Sequence, residues 1–320
     1  MSHEHERPVE PFSDLHVEHE HVRATLLHDP TVEGLDVALY LDGSGSMAED
    51  YRESHLSKGG GILYELFGWG EEPSVETIPN RVEPQARWML EYLASKDRNG
   101  KLRVAYWACG NDGRRVETVG ELAAADAKRV RFQGPKHLGQ FTVLTPALND
   151  FLTYFDGEVK KGARQGCCVI ITDGAIHDAE EVKIWSRKLA AGIGAGRYPR
   201  VNLILVGVGH VVKEEQLEDI CHEEYPGIGH LWCHRIAEEI KNVAELVAAL
   251  VDETMTVAAG GTITDDKGRV VKRYEGRLPA VLEFEVPEGC TSFTLEVGGR
   301  KYTQPLPEEG EEHEEEEGHH

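Results

Sequence analysis

The sequence predicts an α/β fold: a doubly wound, mostly parallel sheet with a small antiparallel β-module at the C-terminus. Four runs of strand length are nearly continuously apolar, as strands covered by helices on both faces are. These runs are residues 35–42, 102–110, 167–174 and 201–209. Segments with helical spacing of apolar residues lie between or after them, at 84–96, 146–155, 179–191 and 236–251. Strands alternating with helices favour a parallel sheet.

The pattern changes at both ends of this region. After Thr254 the sequence alternates apolar and polar residues, with turn signals at 266–268, 287–289 and 298–299, which indicates hairpins. The expected organisation is a flexible His- and acid-rich segment (1–30) with a short strand over residues 22–27, the α/β domain (31–253), the β-module (254–306) and an acidic disordered tail (307–320). We expect the β-module to lie near the N-terminal segment, because both flank the α/β domain.

Composition excludes several classes of function. The chain has 320 residues, 40% hydrophobic residues and a net charge of -23, which disfavours a nucleic-acid partner. The N-terminus lacks a secretory pattern, and no apolar run approaches the roughly 18 residues of a membrane span. Cys109, Cys167 and Cys168 fall in or beside apolar runs, as thiols in a reducing compartment do. We therefore expect a cytoplasmic protein with no membrane partner.

Candidate metal ligands follow the first apolar run. Asp42, Ser44 and Ser46 alternate with two glycines in DGSGS, so their side chains can converge on one centre at the end of a strand. Asp173 follows a second apolar run and offers another carboxylate. Carboxylate and hydroxyl oxygens are hard ligands that suit Mg²⁺ or Mn²⁺ rather than zinc.

These motifs resemble the von Willebrand factor A (vWA) family and its metal-ion-dependent adhesion site. VALYLDGSGSM is similar to the opening of such a domain, FTVLTPALNDFL supplies the family's threonine as Thr145, and TDG at 172–174 matches its second aspartate, Asp173. The resemblance covers about residues 35–251. It implies a Rossmann-like sheet of order 3-2-1-4-5-6 and a complete metal site. Its members are Asp42, Ser44, Ser46, Thr145 and Asp173.

The resemblance also implies a function. In the family, hydroxyls bind the metal directly, the aspartates often act through water, and a partner's Glu or Asp carboxylate completes the coordination. Partner binding is therefore metal-dependent, and the family commonly couples it to movement of the last helix. We therefore expect a non-enzymatic intracellular scaffold or regulator that docks a protein partner through Mg²⁺. An AAA+ ATPase and a protein of a stress or tellurium-resistance system are the partner classes that the family suggests.

Two features depart from the family pattern. Val143 and Leu144 precede the threonine where the family often has glycine, which puts the shape of that loop in doubt. The segment 47–81 contains three consecutive glycines and is predicted to be an insertion close to the metal face.

Other interpretations of the DGSGS turn are open. Ser46 could be only a helix N-cap. An EF-hand is excluded, because Met47 occupies the position that requires glycine and a strand precedes the loop. Asp42 could be a phosphatase nucleophile, although no second acid follows two residues later. The main alternative function is a metal-dependent hydrolase of phosphate esters, with His177 as the nearest general base.

A second group of metal-binding residue types lies at 221–234. Cys221, His222, His230, Cys233 and His234 fall within a short segment, but their spacing matches no usual zinc pattern. We expect a loop that leads into an edge strand, with Cys233 buried as a small apolar residue. The glycines at 192–196 follow a helix rather than a strand, so they do not indicate a phosphate loop.

Overall fold

The computed structural model describes residues 9–26, 34–52, 54–58, 74–78, 80–209, 211–258 and 260–307. The chain divides into two compact units, one formed by Pro30–Val251 and the other by Met1–Asp29 together with Asp252–His320. Within the described residues, no helix has both the length and the apolar character needed to cross a membrane.

The strands are, in chain order, β1 (Phe12–Glu18), β2 (His21–Leu26), β3 (Leu35–Asp42), β4 (Ser54–Lys58), β5 (Ser74–Ile78), β6 (Lys101–Cys109), β7 (Arg115–Ala123), β8 (Gln165–Thr172), β9 (Arg200–Val208), β10 (Glu224–Tyr225), β11 (Gly229–His230), β12 (Trp232–Ala237), β13 (Thr256–Ala258), β14 (Gly261–Asp265), β15 (Val270–Tyr274), β16 (Leu278–Pro279), β17 (Val281–Glu285), β18 (Ser292–Val297) and β19 (Arg300–Pro305). The helices are α1 (Ala48–Tyr51), α2 (Val82–Lys96), α3 (Thr145–Val159), α4 (Ala179–Gly194), α5 (Glu214–Cys221) and α6 (Val243–Thr254).

The larger unit contains a six-stranded sheet in the order β7-β6-β3-β8-β9-β12. Every neighbouring pair is parallel except β6 and β7, which are antiparallel. When the six strands of this sheet alone are numbered in chain order, their spatial order is 3-2-1-4-5-6, as the resemblance predicted. The carboxyl ends of β3 and β8 therefore lie side by side, where the order of strands reverses and open α/β sheets form ligand crevices.

Helices cover both faces of this sheet. On one face, Tyr40 and Trp107 pack in a buried cluster with Phe151 and Phe155 of α3 and Leu189 of α4. On the other face, Leu41 and Ile171 line a small cavity with Val82 and Met89 of α2 and Val243 of α6. This two-sided burial explains why the strand sequences are continuously apolar.

The predicted insertion begins directly after the DGSGS turn. Residues 45–47 form a 3-10 turn that leads into α1, and β4 pairs antiparallel with β5. Residues 53, 59–73 and 79 of this segment lie outside the described residues. The insertion thus contains a hairpin that the glycine-rich sequence did not predict.

The smaller unit joins sequence from both ends of the chain. Its sheets have the orders β1-β2-β17, β15-β14-β18-β19 and β13-β16. Val22, Ala24 and Leu26 of β2 alternate inward and share a buried core with Leu282 and Phe284 of β17. The expected proximity of the β-module and the N-terminal segment is therefore confirmed.

The expectation of a flexible segment over residues 1–30 is wrong for residues 9–26, most of which form β1 and β2. The histidines and acids that suggested disorder occupy exposed positions of these strands, whereas Phe12, Val22, Ala24 and Leu26 are buried. Residues 1–8 and 27–33 lie outside the described residues, as do residues 308–320 of the predicted acidic tail.

Candidate metal centre

Asp42 lies fully buried at the carboxyl end of β3. Its Oδ1 accepts a hydrogen bond from the backbone N–H of Ser44 (2.7 Å), and its Oδ2 accepts one from the hydroxyl of Thr172 (2.8 Å). The hydroxyl of Tyr51 donates to the carbonyl oxygen of Asp42 (2.6 Å). Burial, and next the negative charge of Asp173, raise the pKa of Asp42 to about 6, although both carboxylate hydrogen bonds lower it. A nearby cation would offset the cost of burying this charge.

The two serines connect Asp42 to the end of the neighbouring strand. The hydroxyls of Ser44 and Ser46 share a hydrogen bond of 2.9 Å, and the hydroxyl of Ser46 donates to Oδ1 of Asp173 (2.8 Å). Burial also raises the pKa of Asp173, while the bond from Ser46 lowers it. Four of the five predicted ligands therefore form one continuous hydrogen-bonded chain.

Thr145, the fifth predicted ligand, is the first residue of α3 and is not hydrogen-bonded to this chain. Its loop is nevertheless fastened to the DGSGS turn, because Gly45 N–H donates to Gly139 O (2.7 Å) and Gly139 N–H donates to Gly43 O (3.0 Å). Its backbone is fastened to the segment after β8, where Asp178 Oδ2 accepts the Thr145 N–H (2.8 Å).

The hydroxyl of Thr145 provides a test of whether this site fits a metal. It is a buried atom with no hydrogen-bond partner among the described residues. A buried hydroxyl without a partner costs free energy, and native proteins rarely contain one without a reason such as a bound ion. A cation accepting the oxygen lone pairs of three hydroxyls and two carboxylates would supply that reason, and these oxygens suit Mg²⁺ or Mn²⁺. The residues present therefore fit the predicted metal.

Asp178 holds the threonine loop in place, a role that the sequence did not reveal. Its position directly before α4 is typical of an N-cap, but its side chain makes no cap hydrogen bond to that helix. Both carboxylate oxygens instead accept backbone N–H groups at the start of α3, from Leu144 (2.7 Å) and Thr145 (2.8 Å). The sequence could not show that Asp178 contacts the start of α3, because the two segments are more than 30 positions apart in the chain.

His177 fastens the same two segments. Its ring Nδ1 accepts the backbone N–H of Thr142 (3.0 Å), and the backbone N–H of His177 donates to Thr142 O (2.9 Å). The imidazole ring packs edge-on against Phe141, with ring centroids 5.5 Å apart. In the neutral ring the proton therefore resides on Nε2.

The cysteines and histidines at 221–234 are spread over several elements. Cys221 is buried at the end of α5, where burial raises the pKa of its thiol, and Cys233 is half-buried on β12. His234 Nε2 lies 3.5 Å from Glu218 Oε2, and His222 Nδ1 lies 3.1 Å from backbone carbonyls of α5. Across the described part of the chain, no three His, Cys, Asp or Glu side chains are grouped to hold a metal ion. The DGSGS set has only two carboxylates and would bind largely through hydroxyls.

No protein-family model matches this chain, and no curated protein matches it. Among solved structures it is similar to proximal thread matrix protein 1 from the mussel byssus, with 15% identity over 73% of this chain and 49% of that chain, and a TM-score of 0.41. It is also similar to the SpRpn10 VWA domain, with 10% identity over 66% of this chain and 93% of that domain, and a TM-score of 0.43. The chain thus spans about half the length of the mussel protein. Similarities this distant carry no inference about function, which has to come from the residues of the site.

Proposed function

We propose that this chain is a vWA-type protein that binds Mg²⁺ at Asp42, Ser44, Ser46, Thr145 and Asp173 and uses the metal to hold an acidic side chain of a protein partner. The observation that carries the proposal is the buried hydroxyl of Thr145, which has no hydrogen-bond partner among the described residues. Its loop is fastened by backbone hydrogen bonds to the turn that carries Ser44 and Ser46. Mn²⁺ is the second metal that this ligand set would accept.

Each residue has a distinct part in the proposed binding. Ser44, Ser46 and Thr145 offer hydroxyl oxygens, and Asp42 and Asp173 hold negative charge next to them. Thr172 and Asp178 position Asp42 and the threonine loop through their hydrogen bonds. When bound, Mg²⁺ supplies an electrophilic centre that attracts a carboxylate, because most of its protein ligands here are neutral.

We propose binding rather than hydrolysis as the activity of this site. A general base must present a lone pair to water, and the nearest histidine is His177. Its Nδ1 already accepts the Thr142 N–H, so a neutral ring has no second acceptor nitrogen. Turnover of a phosphodiester panel with Mg²⁺ or Mn²⁺ that disappears in His177→Ala would overturn this proposal.

We further propose that the partner is an intracellular protein, either an AAA+ ATPase or a component of a stress system, and that this chain acts as its scaffold or regulator. The buried thiols Cys109, Cys167 and Cys168 favour the reducing cytoplasm.

A metal titration tests the proposal directly. Calorimetry with Mg²⁺ on wild type, Ser46→Ala and the control Ser95→Ala measures binding; Ser95 is an exposed serine on α2. We expect binding by wild type and the control and at least a tenfold loss in Ser46→Ala, since that variant removes a ligand hydroxyl. At about 100 times its Kd, Mg²⁺ should stabilise wild type by about 2.7 kcal/mol. Equal heats of binding for all three proteins would refute the metal site.

A further inference from the structure

The loop that fastens Thr145 to the DGSGS turn also carries exposed apolar side chains. We call residues 136–142 the rim loop. Leu138 is 36% exposed and Phe141 is 49% exposed, so two large apolar side chains of this short loop face solvent. The ring of His177, also exposed, packs edge-on against Phe141. Exposed apolar side chains gathered in this way are typical of interaction surfaces.

The backbone of the rim loop is held on several sides. His137 O accepts the Gly110 N–H (2.8 Å), and the N–H groups of Lys136 and His137 donate to Glu117 (2.7 and 3.1 Å). A side chain at Gly113 would collide with Phe141 O, so the two backbones are in close contact there. The apolar side chains are thus exposed on a backbone that is already held in place. The loop therefore loses less conformational entropy when a partner binds.

The rim loop lies directly beside the candidate metal centre. Gly139 forms a bridge with Ser44, and Leu138 precedes it in the chain. Phe141 follows Gly139 by two residues, which limits the distance between their Cα atoms to about 7 Å. In an extended peptide, side chains two or three residues apart are separated by about 7–10 Å. One short segment could therefore contact both the metal and the rim loop.

We propose that the rim loop is an apolar subsite of this centre, and that the partner docks a short segment in which a large apolar side chain lies within three residues of the metal-binding Asp or Glu. The inference rests on the proposed metal-dependent function and adds the apolar part of the ligand. Charge favours an acidic segment here, because the proposed metal is a cation and Lys136 of the rim loop is exposed.

Peptide binding tests the apolar subsite. The probes are fluorescein-labelled octapeptides with a central Glu and either Leu, Phe or Ser placed one to three residues away. Fluorescence anisotropy with Mg²⁺ or EDTA is measured on wild type, Phe141→Ser, Leu138→Ser and the control Ile184→Ser. Ile184 is 48% exposed on α4 and has no part in the rim loop. Thermal melts check that each variant is folded.

We expect wild type and Ile184→Ser to bind at least one Leu or Phe peptide about tenfold tighter than its Ser counterpart. This preference should disappear in Phe141→Ser and weaken in Leu138→Ser, with binding of the Ser peptides unchanged. A preference that survives in Phe141→Ser, equal binding of all peptides, or binding of no peptide overturns the inference.

The two proposals can fail separately. Binding that requires Mg²⁺ but ignores the apolar residue would support the metal site and refute the apolar subsite. Binding that depends on Phe141 but is equal in EDTA, and is unchanged in Thr145→Val, would support the subsite and refute the metal-dependent function.

Discussion

Two threonines at the candidate metal centre have opposite surroundings. The hydroxyl of Thr172 donates to the buried carboxylate of Asp42, and its side chain completes that carboxylate's hydrogen bonds. The hydroxyl of Thr145 is buried without a hydrogen-bond partner among the described residues. Valine has nearly the same shape as threonine, so replacing each by valine separates a hydroxyl used by the fold from one reserved for a ligand.

Thr145→Val should leave the metal-free protein as stable as wild type, or slightly more stable, because it removes a buried hydroxyl that has no partner. It should also abolish the stabilisation by Mg²⁺. Thermal melts in EDTA and in Mg²⁺ measure both effects. A loss of more than about 1 kcal/mol in EDTA would mean that the hydroxyl has a structural role.

Thr172→Val should behave in the opposite way. It leaves Oδ2 of the buried Asp42 without its donor, so we expect the free energy of unfolding to fall by about 1–3 kcal/mol in the absence of metal. Urea unfolding in EDTA is the measurement. An unfolding midpoint equal to that of Thr145→Val would contradict the assigned roles.

At the scale of elements, the centre depends on the close approach of three loops. Gly139 exchanges backbone hydrogen bonds with the DGSGS turn, and a Cβ at this position would lie only 1.8 Å from Ala108 O at the end of β6. Ala108 itself has a left-handed backbone conformation (φ 55°), which alanine rarely adopts. The end of β6 and the threonine loop therefore fit together only when residue 139 has no side chain.

Gly139→Ala should reduce the free energy of unfolding by about 2–4 kcal/mol and weaken Mg²⁺ binding, because the loop must move away from β6. The matched control is Gly157→Ala in α3, where a Cβ meets no atom within 4 Å. This control should raise the free energy of unfolding by about 0.5–1 kcal/mol. Urea unfolding and Mg²⁺ calorimetry check both variants. Equal stability of the two variants would show that the loop adapts easily.

The elements that hold the centre were only partly predictable. Continuous apolar runs predicted β3, β6, β8 and β9, because a strand that is buried on both faces requires consecutive apolar residues. The proposed ligand positions followed from the resemblance of DGSGS, Thr145 and TDG to a known motif. The supporting roles of Asp178, His177 and Gly139 depend on contacts between distant segments, and no local pattern records such contacts.

At the scale of the whole molecule, stability depends on a buried charge cluster in the larger unit. Asp36 is fully buried at the start of β3, and Arg98 contacts it with two hydrogen bonds (2.8 and 3.1 Å) while also reaching Glu158 of α3 (3.2 Å). Burial raises the pKa of Asp36, and the hydrogen bonds and charge of Arg98 lower it. Arg98 thus pairs with two buried carboxylates, and one of them, Glu158, has a second cation in Lys161 at 2.7 Å.

Arg98→Met should reduce the free energy of unfolding by about 3–5 kcal/mol at pH 8, because it removes the cation that pairs with the buried carboxylate of Asp36. The loss should shrink as the pH falls towards 4. Without Arg98 the pKa of Asp36 in the folded state rises further above its unfolded value of 3.8, so folding then favours the protonated acid.

The control for this prediction is Lys161→Met, which removes an exposed cation paired with Glu158. It should have little effect on the free energy of unfolding at either pH, because the Lys161 ammonium is exposed and its ion pair is screened by water. Urea unfolding at pH 5 and pH 8 compares the variants. A penalty for Arg98→Met that is independent of pH, or that increases in acid, would contradict this account.

The organisation of the smaller unit shows where sequence analysis reached its limit. The hairpins after residue 260 were predictable because turn residues and alternation are local signals. A short strand over residues 22–27 was expected and is β2, but β1 was not predicted. The pairing of β2 with β17 was not predicted either, because the two strands are far apart in the chain: Arg23 and Glu283 are 260 positions apart. This polar, histidine-rich stretch forms a sheet because β2 pairs with β17 and its apolar residues enter the core of the smaller unit.

The pairing of β2 with β17 also delays completion of the smaller unit during synthesis on the ribosome. The N-terminal hairpin emerges first, but the strand it must join, residues 281–285, is made some 255 residues later. At translation rates of about 5–20 residues per second, the delay is about 13–50 s. During that interval the hydrogen-bonding edge of β2 has no partner strand and could pair with other chains. We therefore expect the larger unit to fold first and chaperones to bind the unpaired hairpin.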